Sequence, residues 1–272
     1  MIKLIASDID GTLVEEGCSR LPEELFGIIE KLCERDILFA AASGRQYLGM
    51  RRLFEPVADK ILFISENGAN VISRGEELYA SVIDPELVRQ MWEYAHRFPE
   101  CHLALSTVGA MYSTGECDLE YRRLMQGGYH NDMVFADDID TDTLKVVKMS
   151  IYREDGIAPY VQEMEAYWKE KLNVAVAGKP WIDFINPGTD KGMALGLVQK
   201  KFGIRPEETM AFGDNHNDIG MVLAAGESYA VENARTAVKE AARYTVESYR
   251  KKGVIRALES LLTRTDGAAH MR

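Results

Sequence analysis

Short apolar runs alternating with amphipathic stretches, twice over with a break between, most constrain how this chain folds. Residues 2–7, 37–42 and 60–64 are apolar runs of strand length. Between the first two lies a stretch led by Pro22, with Leu25, Ile28, Ile29, Leu32 and Cys33 at helical spacing on one face. Residues 46–54 form a second helical stretch. The rhythm predicts a parallel sheet with right-handed crossovers. It resumes near the other end. Thr189-Asp190 can cap a helix carrying Met193, Leu197 and Val198, which Gly203 is placed to end. Then follow strands at 209–213, 228–231 and 244–246, helices at 217–225 and from Ala234, and a last helix at 254–262. A small, polar and mobile tail is expected at 265–272.

The middle breaks the pattern. A helix started by Asp84-Pro85 precedes strand-like runs at 102–106, 110–113 and 144–152, with a mobile-looking stretch around Gly127-Gly128. A helix at 159–172 and strands at 173–177 and 181–185 follow. The fold expected is α/β: a Rossmann-like parallel-sheet core of residues 1–83 and 186–272, with an inserted α+β domain at 84–185.

Composition limits the partners. The 272 residues carry 43 Asp and Glu against 32 Lys and Arg, a formal charge of −11. Nucleic acid, whose phosphates call for a basic field, is excluded as the main partner. No apolar run approaches the roughly 18 residues of a membrane span, and residues 1–8 lack the apolar core of an export signal. A cytoplasmic protein without a membrane partner is expected. The four cysteines include no C-x-x-C pair and read as reduced, packed thiols. Nothing in the sequence speaks to oligomeric state.

Four clusters carry chemistry, each at or just after an expected strand end, where open α/β sheets bind ligands. In Asp8-Ile9-Asp10-Gly11-Thr12-Leu13, residues two apart in an extended chain point the same way, so both carboxylates can face one site. Such carboxylates repel unless a cation or a proton separates their roles. Ala42-Ser43-Gly44-Arg45 offers a hydroxyl, an unobstructed backbone N–H and a guanidinium. Lys191 stands in the first turn of its helix. Gly213-Asp214-Asn215-His216-Asn217-Asp218 adds two carboxylates. Singly, these are turns, caps and surface lysines. A calcium loop is excluded, because Leu13 and Ile219 occupy its required glycine position. No P-loop or G-x-G-x-x-G occurs.

Together and in this order, the clusters resemble the haloacid dehalogenase-like hydrolases, and within them the Cof-type phosphatase branch. Glu66-Asn67-Gly68-Ala69 is similar to that branch's loop after its third strand, and Asn186-Pro187 to its return from the cap. The inserted domain resembles the type IIB cap. Two positions depart: Gly220 stands where a larger, often acidic residue is usual, and Val231-Glu232-Asn233-Ala234 replaces a commoner methionine-glycine pair before Asn-Ala.

The resemblance implies Mg²⁺-dependent hydrolysis of phosphate monoesters of small metabolites, sugar phosphates or related compounds, through an aspartyl-phosphate. Asp8 would be the nucleophile. The Asp8 side chain, the Asp10 backbone carbonyl, Asp214 and Asp218 would form or support the metal shell. Lys191 would neutralise Asp8 and the transferring group. Ser43, Gly44, Arg45, Asn186 and Asn217 would contact substrate, with Ser43, Gly44 and Asn217 on the equatorial oxygens. Asp10 would act as acid and then base, its side chain turned away from the metal, since a carboxylate against a cation does not readily donate a proton. A phosphomutase of the phosphomannomutase type and a non-catalytic binding module for phosphorylated metabolites are the alternatives. The first would return the phosphoryl group to a sugar, and the second would lack a carboxylate that is present here.

Overall fold

The computed structural model describes residues 1–129 and 131–269, with side chains through residue 263. In chain order the elements are β1 (Leu4–Asp8), α1 (Glu23–Cys33), β2 (Leu38–Ala42), α2 (Tyr47–Leu53), β3 (Leu62–Ser65), β4 (Asn70–Ser73) and β5 (Glu76–Ala80). Next come α3 (Pro85–Ala95), β6 (His102–Thr107), β7 (Met111–Ser113), α4 (Leu119–Arg123), β8 (Met133–Phe135) and β9 (Val146–Tyr152). They are followed by α5 (Ala158–Trp168), β10 (Asn173–Val176), β11 (Trp181–Ile185), α6 (Lys191–Phe202) and β12 (Thr209–Gly213). The chain closes with α7 (Ile219–Leu223), β13 (Glu227–Val231), α8 (Thr236–Ala241), β14 (Tyr244–Val246) and α9 (Gly253–Ala269).

Two compact units form. One comprises Met1–Arg45, Met50–Leu78 and the segment from Asp190 onward; the other comprises Gln46–Gly49 and Tyr79–Thr189. The first holds an eight-stranded sheet in the order β14-β13-β12-β1-β2-β3-β4-β5. Its pairs are parallel from β14 to β3, and β4 then runs antiparallel to β3. β1 is wholly buried, as a strand of a parallel sheet covered on both faces must be. α1 buries Leu25, Ile28, Ile29 and Leu32, the stripe its spacing predicts; each such side chain contributes roughly 1.5–3 kcal/mol by leaving water.

The strand order places the site. From β1 the chain proceeds outward to β2 and β3, and later returns to β12 on the other side of β1. Between β1 and β12 lies a topological switch point, where the connections leave in opposite directions and open a crevice at the carboxyl ends.

The second unit holds a six-stranded sheet in the order β10-β11-β9-β6-β7-β8. One core packs Val88, Met91, Met164, Trp168, Met149 and Phe184 together; a smaller one gathers Ala104, Met111, Tyr121 and Met125.

Several elements differ from expectation. The stretch around Gly127-Gly128 is a π-helical turn, Leu124–Gly128, closing α4. β4, β5, α4 and β8 do not show in the sequence pattern. The stretch read as one helix at 217–225 opens as a 3₁₀ turn, His216–Asp218, before α7. The expected tail is helical as far as Ala269, since Gly267 costs only about 1 kcal/mol in a helix and need not end it. Residues 270–272 lie outside the described residues.

Candidate active site

Asp8 is the last residue of β1, and Asp214 immediately follows β12. The side chains of Asp8, Asp214 and Asp218 converge, each offering an oxygen within 4.8 Å of the others. Lys191, the first residue of α6 and fully buried, reaches into them. Its Nζ donates to Asp8 Oδ1 and to Asp218 Oδ1, each at 2.6 Å.

Glycines let this geometry close. Gly11, at φ +84°, has left-handed backbone, and a Cβ there would stand 2.4 Å from Asp214 Oδ2. A Cβ on Gly213 would meet that of Asp218 at 2.5 Å. Asp190 caps α6, its Oδ1 accepting from Met193 N at 2.6 Å, and so sets where Lys191 leaves the helix. Thr12 Oγ1 donates to Asp214 Oδ1 at 3.1 Å. Asp218 Oδ2 accepts from the amides of Asp214 and Asn215, both at 3.0 Å. Asp218 therefore braces the loop while its other oxygen holds Lys191.

The electrostatics are unfavourable for protein groups alone. Burial, then the charge of Asp218, raises the Asp8 carboxyl well above its ordinary range despite Lys191. The same two causes, burial first, push Asp214 up to about 6. Burial also works against the Lys191 ammonium, but Asp218 and Asp8 more than offset it and raise its pKa. Asp8 Oδ2 is buried with no donor among the described residues; a bond from Asp8 to Asp214 exists only if one of them holds a proton. Three carboxylates against one ammonium leave two negative charges, matching a divalent cation. Hard oxygen donors suit magnesium, calcium or manganese. The residues fit a metal ion of that kind.

Asp10 departs from the pattern. Its side chain lies outside the trio, because the chain leaves β1 after Asp8 and turns at Gly11. Its Oδ2 accepts from Arg45 Nε at 2.7 Å, and its Oδ1 from Arg45 Nη2 at 2.6 Å and Gly17 N at 3.0 Å. Ser43 is buried and follows β2, and its Oγ accepts from Arg45 N at 3.1 Å. Gly44 lies against the Asn67 side chain, where a Cβ would come within 3.1 Å of Oδ1. That Oδ1 accepts from Asn217 Nδ2 at 2.9 Å, tying the two loops together. Asn186 belongs to the second unit, where its Nδ2 donates to Ser81 Oγ and Val82 O.

Three supporting residues escaped sequence reading: Thr12, Asn67 and Asn233. Asn233 Nδ2 donates to Gly11 O at 2.7 Å and so pins the turn after Asp10. All three stand inside the short clusters of the sequence, Thr12 in the first of them, and that position is the signal that could have raised them.

A parallel α/β sheet with carboxylates gathered at its switch point, one buried lysine between them and a second domain inserted, defines a class: α/β proteins with a cation-ready carboxylate site. The family profile described as haloacid dehalogenase-like hydrolase matches residues 5–258. The chain belongs to that family, in its Cof-type phosphatase branch. It is 30% identical to the 5-amino-6-(5-phospho-D-ribitylamino)uracil phosphatase of Escherichia coli, over 96% of each chain. A solved structure from Eubacterium rectale superposes with a TM-score of 0.86 at 33% identity, covering 96% of this chain and 99% of that one. A subclass IIB sugar phosphatase shares the fold, with a TM-score of 0.79 at 22% identity over 95% and 98% of the two chains.

Proposed function

We propose that the protein is a Mg²⁺-dependent phosphatase that hydrolyses monoesters of small phosphorylated metabolites, sugar phosphates or related compounds, through an aspartyl-phosphate on Asp8. The observation that carries this is the Lys191 ammonium bridging Asp8 and Asp218, with Asp8 Oδ2 left as a buried acceptor beside Asp214. That oxygen is the nucleophile. Lys191 holds the other oxygen, fixes the carboxylate plane and offsets charge as an anion approaches an anion.

Asp8 Oδ2 forms a bond to phosphorus as the ester O–P bond breaks, and the departing alkoxide takes a proton from Asp10. Water then gives a proton to Asp10 and attacks the same phosphorus. The bond to Asp8 breaks and inorganic phosphate leaves. Asp8 and Asp214 would hold the cation, with Asp218 securing Lys191 and the loop. When bound, a divalent cation supplies charge neutralisation at the nucleophile and at a phosphate oxygen. Ser43, the Gly44 N–H and Asn217, the last oriented by Asn67, receive the equatorial oxygens. The inserted segment, residues 84–185, is read as a type IIB cap domain that sets specificity. A cytoplasmic location suits such substrates.

The test is phosphate release across a panel of phosphorylated sugars and cofactors, with and without Mg²⁺. The panel includes the ribitylaminouracil phosphate for which the E. coli relative is named. Turnover is expected with Mg²⁺, none in chelator, and none from Asp8→Asn, whose amide keeps the shape but cannot attack phosphorus. Phosphate release by Asp8→Asn, or full activity in chelator, sinks the reading.

A further inference from the structure

Arg45 is anchored at both ends. Its amide donates to Ser43 Oγ and its carbonyl accepts from Glu66 N at 3.1 Å, fixing its backbone beside the expected phosphate loop. Its guanidinium meets Asp10 with two parallel N–H···O bonds of 2.7 and 2.6 Å, and Nη2 also reaches Cys18 O at 2.9 Å. Both side chains are mostly buried, at 16% and 22% exposure. A guanidinium so committed to one carboxylate and one carbonyl is poorly placed to grip substrate. It dictates where Asp10 sits.

That placement solves a problem the site creates. A cation held by Asp8 and its neighbours attracts any further carboxylate within reach, and Asp10 is two residues away. Drawn onto the cation, Asp10 would be lost as an acid and base. The bidentate fork keeps both of its oxygens on Arg45, away from the carboxylate trio. Among the described residues Oδ1 has two donors, Arg45 Nη2 and Gly17 N, whereas Oδ2 has Nε. Oδ2 is the oxygen that can turn to a leaving group while Oδ1 stays fixed.

We infer that Arg45 is a positioning residue: it holds the Asp10 carboxylate out of the metal shell and presents Oδ2 to the leaving group. The inference rests on the phosphatase reading. A lysine cannot reproduce the fork, since it offers a point charge in place of two parallel donors.

The experiment compares full-length wild type, Arg45→Met, Arg45→Lys, Asp10→Asn and the Asp10→Asn/Arg45→Met double variant. Steady-state kinetics use the best sugar phosphate and p-nitrophenyl phosphate; Mn²⁺ affinity is read by electron paramagnetic resonance. Arg45→Met should lower kcat on the sugar phosphate by about 10²-fold, a loss of the size expected for acid–base help, with a much smaller loss on the aryl ester. KM should stay within about twofold, and Arg45→Lys should recover no more than about a tenth of wild-type kcat. The double variant should be no slower than Asp10→Asn. Mn²⁺ should bind several-fold tighter to Arg45→Met, an increase that Asp10→Asn abolishes.

A rise in KM with unchanged kcat makes Arg45 a substrate contact and overturns the inference. So do losses that multiply in the double variant, or an unchanged Mn²⁺ affinity. Thermal melts identify any variant that fails to fold; should Arg45→Met fail, Arg45→Lys carries the comparison. A wild type that releases no phosphate from any substrate overturns the phosphatase reading, and this role with it. An active wild type with multiplying losses overturns only the role of Arg45.

Discussion

Asp214 bears much of the cost of the site. It is pushed up to about 6 by burial and by Asp218, and it lies beside Asp8, whose Oδ2 has no donor among the described residues. An asparagine there keeps the acceptor that Thr12 uses, removes a charge, and can donate to Asp8. Asp214→Asn should therefore stabilise the metal-free protein at neutral pH by roughly 1–2 kcal/mol, discounted for partial exposure, while lowering Mg²⁺-dependent turnover at least 10²-fold. Denaturant unfolding in chelator checks the first effect and phosphate release the second; a destabilised variant would contradict this account of the strain. The charged members of the site were legible because each sits in a short cluster at a strand end. Thr12, Asn67 and Asn233 were not, because their partners lie 202, 150 and 222 residues away, and no local pattern encodes such a hydrogen bond. Asp10 was legible as a member, and its direction away from the metal followed from the resemblance but not from spacing. Alternation in an extended chain points it beside Asp8, whereas the turn at Gly11 and the fork of Arg45 carry it elsewhere.

At the scale of elements, the crossing of α6 and α7 explains one departure from the family pattern. A Cβ on Gly192 would come within 2.3 Å of the Gly220 carbonyl carbon, and one on Gly220 would meet the Asp190 carboxylate at 3.1 Å. The two helices touch through their backbones, so an acidic residue at 220 would face the cap of α6. Gly192→Ala should cost about 1–3 kcal/mol by overpacking and should also reduce turnover, because any shift of α6 carries Lys191 with it. A thermal melt and kcat check both; a variant with wild-type stability and rate would mean that the crossing relaxes freely. The alternating strands and helices of the first unit were readable because each long apolar run ends in a turn or cap. β5 was not: Glu76 and Glu77 are exposed and its other residues only half-buried, so no apolar run announces it. α4 and β8, of five and three residues, are too short for periodicity to register.

For the molecule as a whole, the order of the sheet sets a charge problem that bound protons or a cation relieve. The switch point between β1 and β12 brings Asp8 and Asp214 together from opposite ends of the sequence, in a chain already carrying a formal charge of −11. In the metal-free protein both carboxyls hold their protons more tightly than in the unfolded chain, where aspartate titrates near about 4. The folded state then binds more protons than the unfolded one, so both groups make stability fall as pH rises above about 4, Asp214 through about 6. A divalent cation reverses that contribution, since it favours the ionised forms and must displace the protons to bind. Mg²⁺ stabilises by RT ln(1 + [Mg²⁺]/Kd), about 2.7 kcal/mol at a hundredfold excess over Kd, and Kd should weaken as protons compete. The rise in melting temperature on adding Mg²⁺ should therefore be small near pH 5 and several degrees near pH 7.5, a contrast set by Asp214, whose carboxyl is pushed up to about 6, between those values. Taking the difference with and without Mg²⁺ at each pH cancels the other titrating groups. Replacing both Asp8 and Asp214 by asparagine should flatten the contrast. Equal shifts at the two pH values, or a larger one at pH 5, would show that the cation does not bind at these carboxylates.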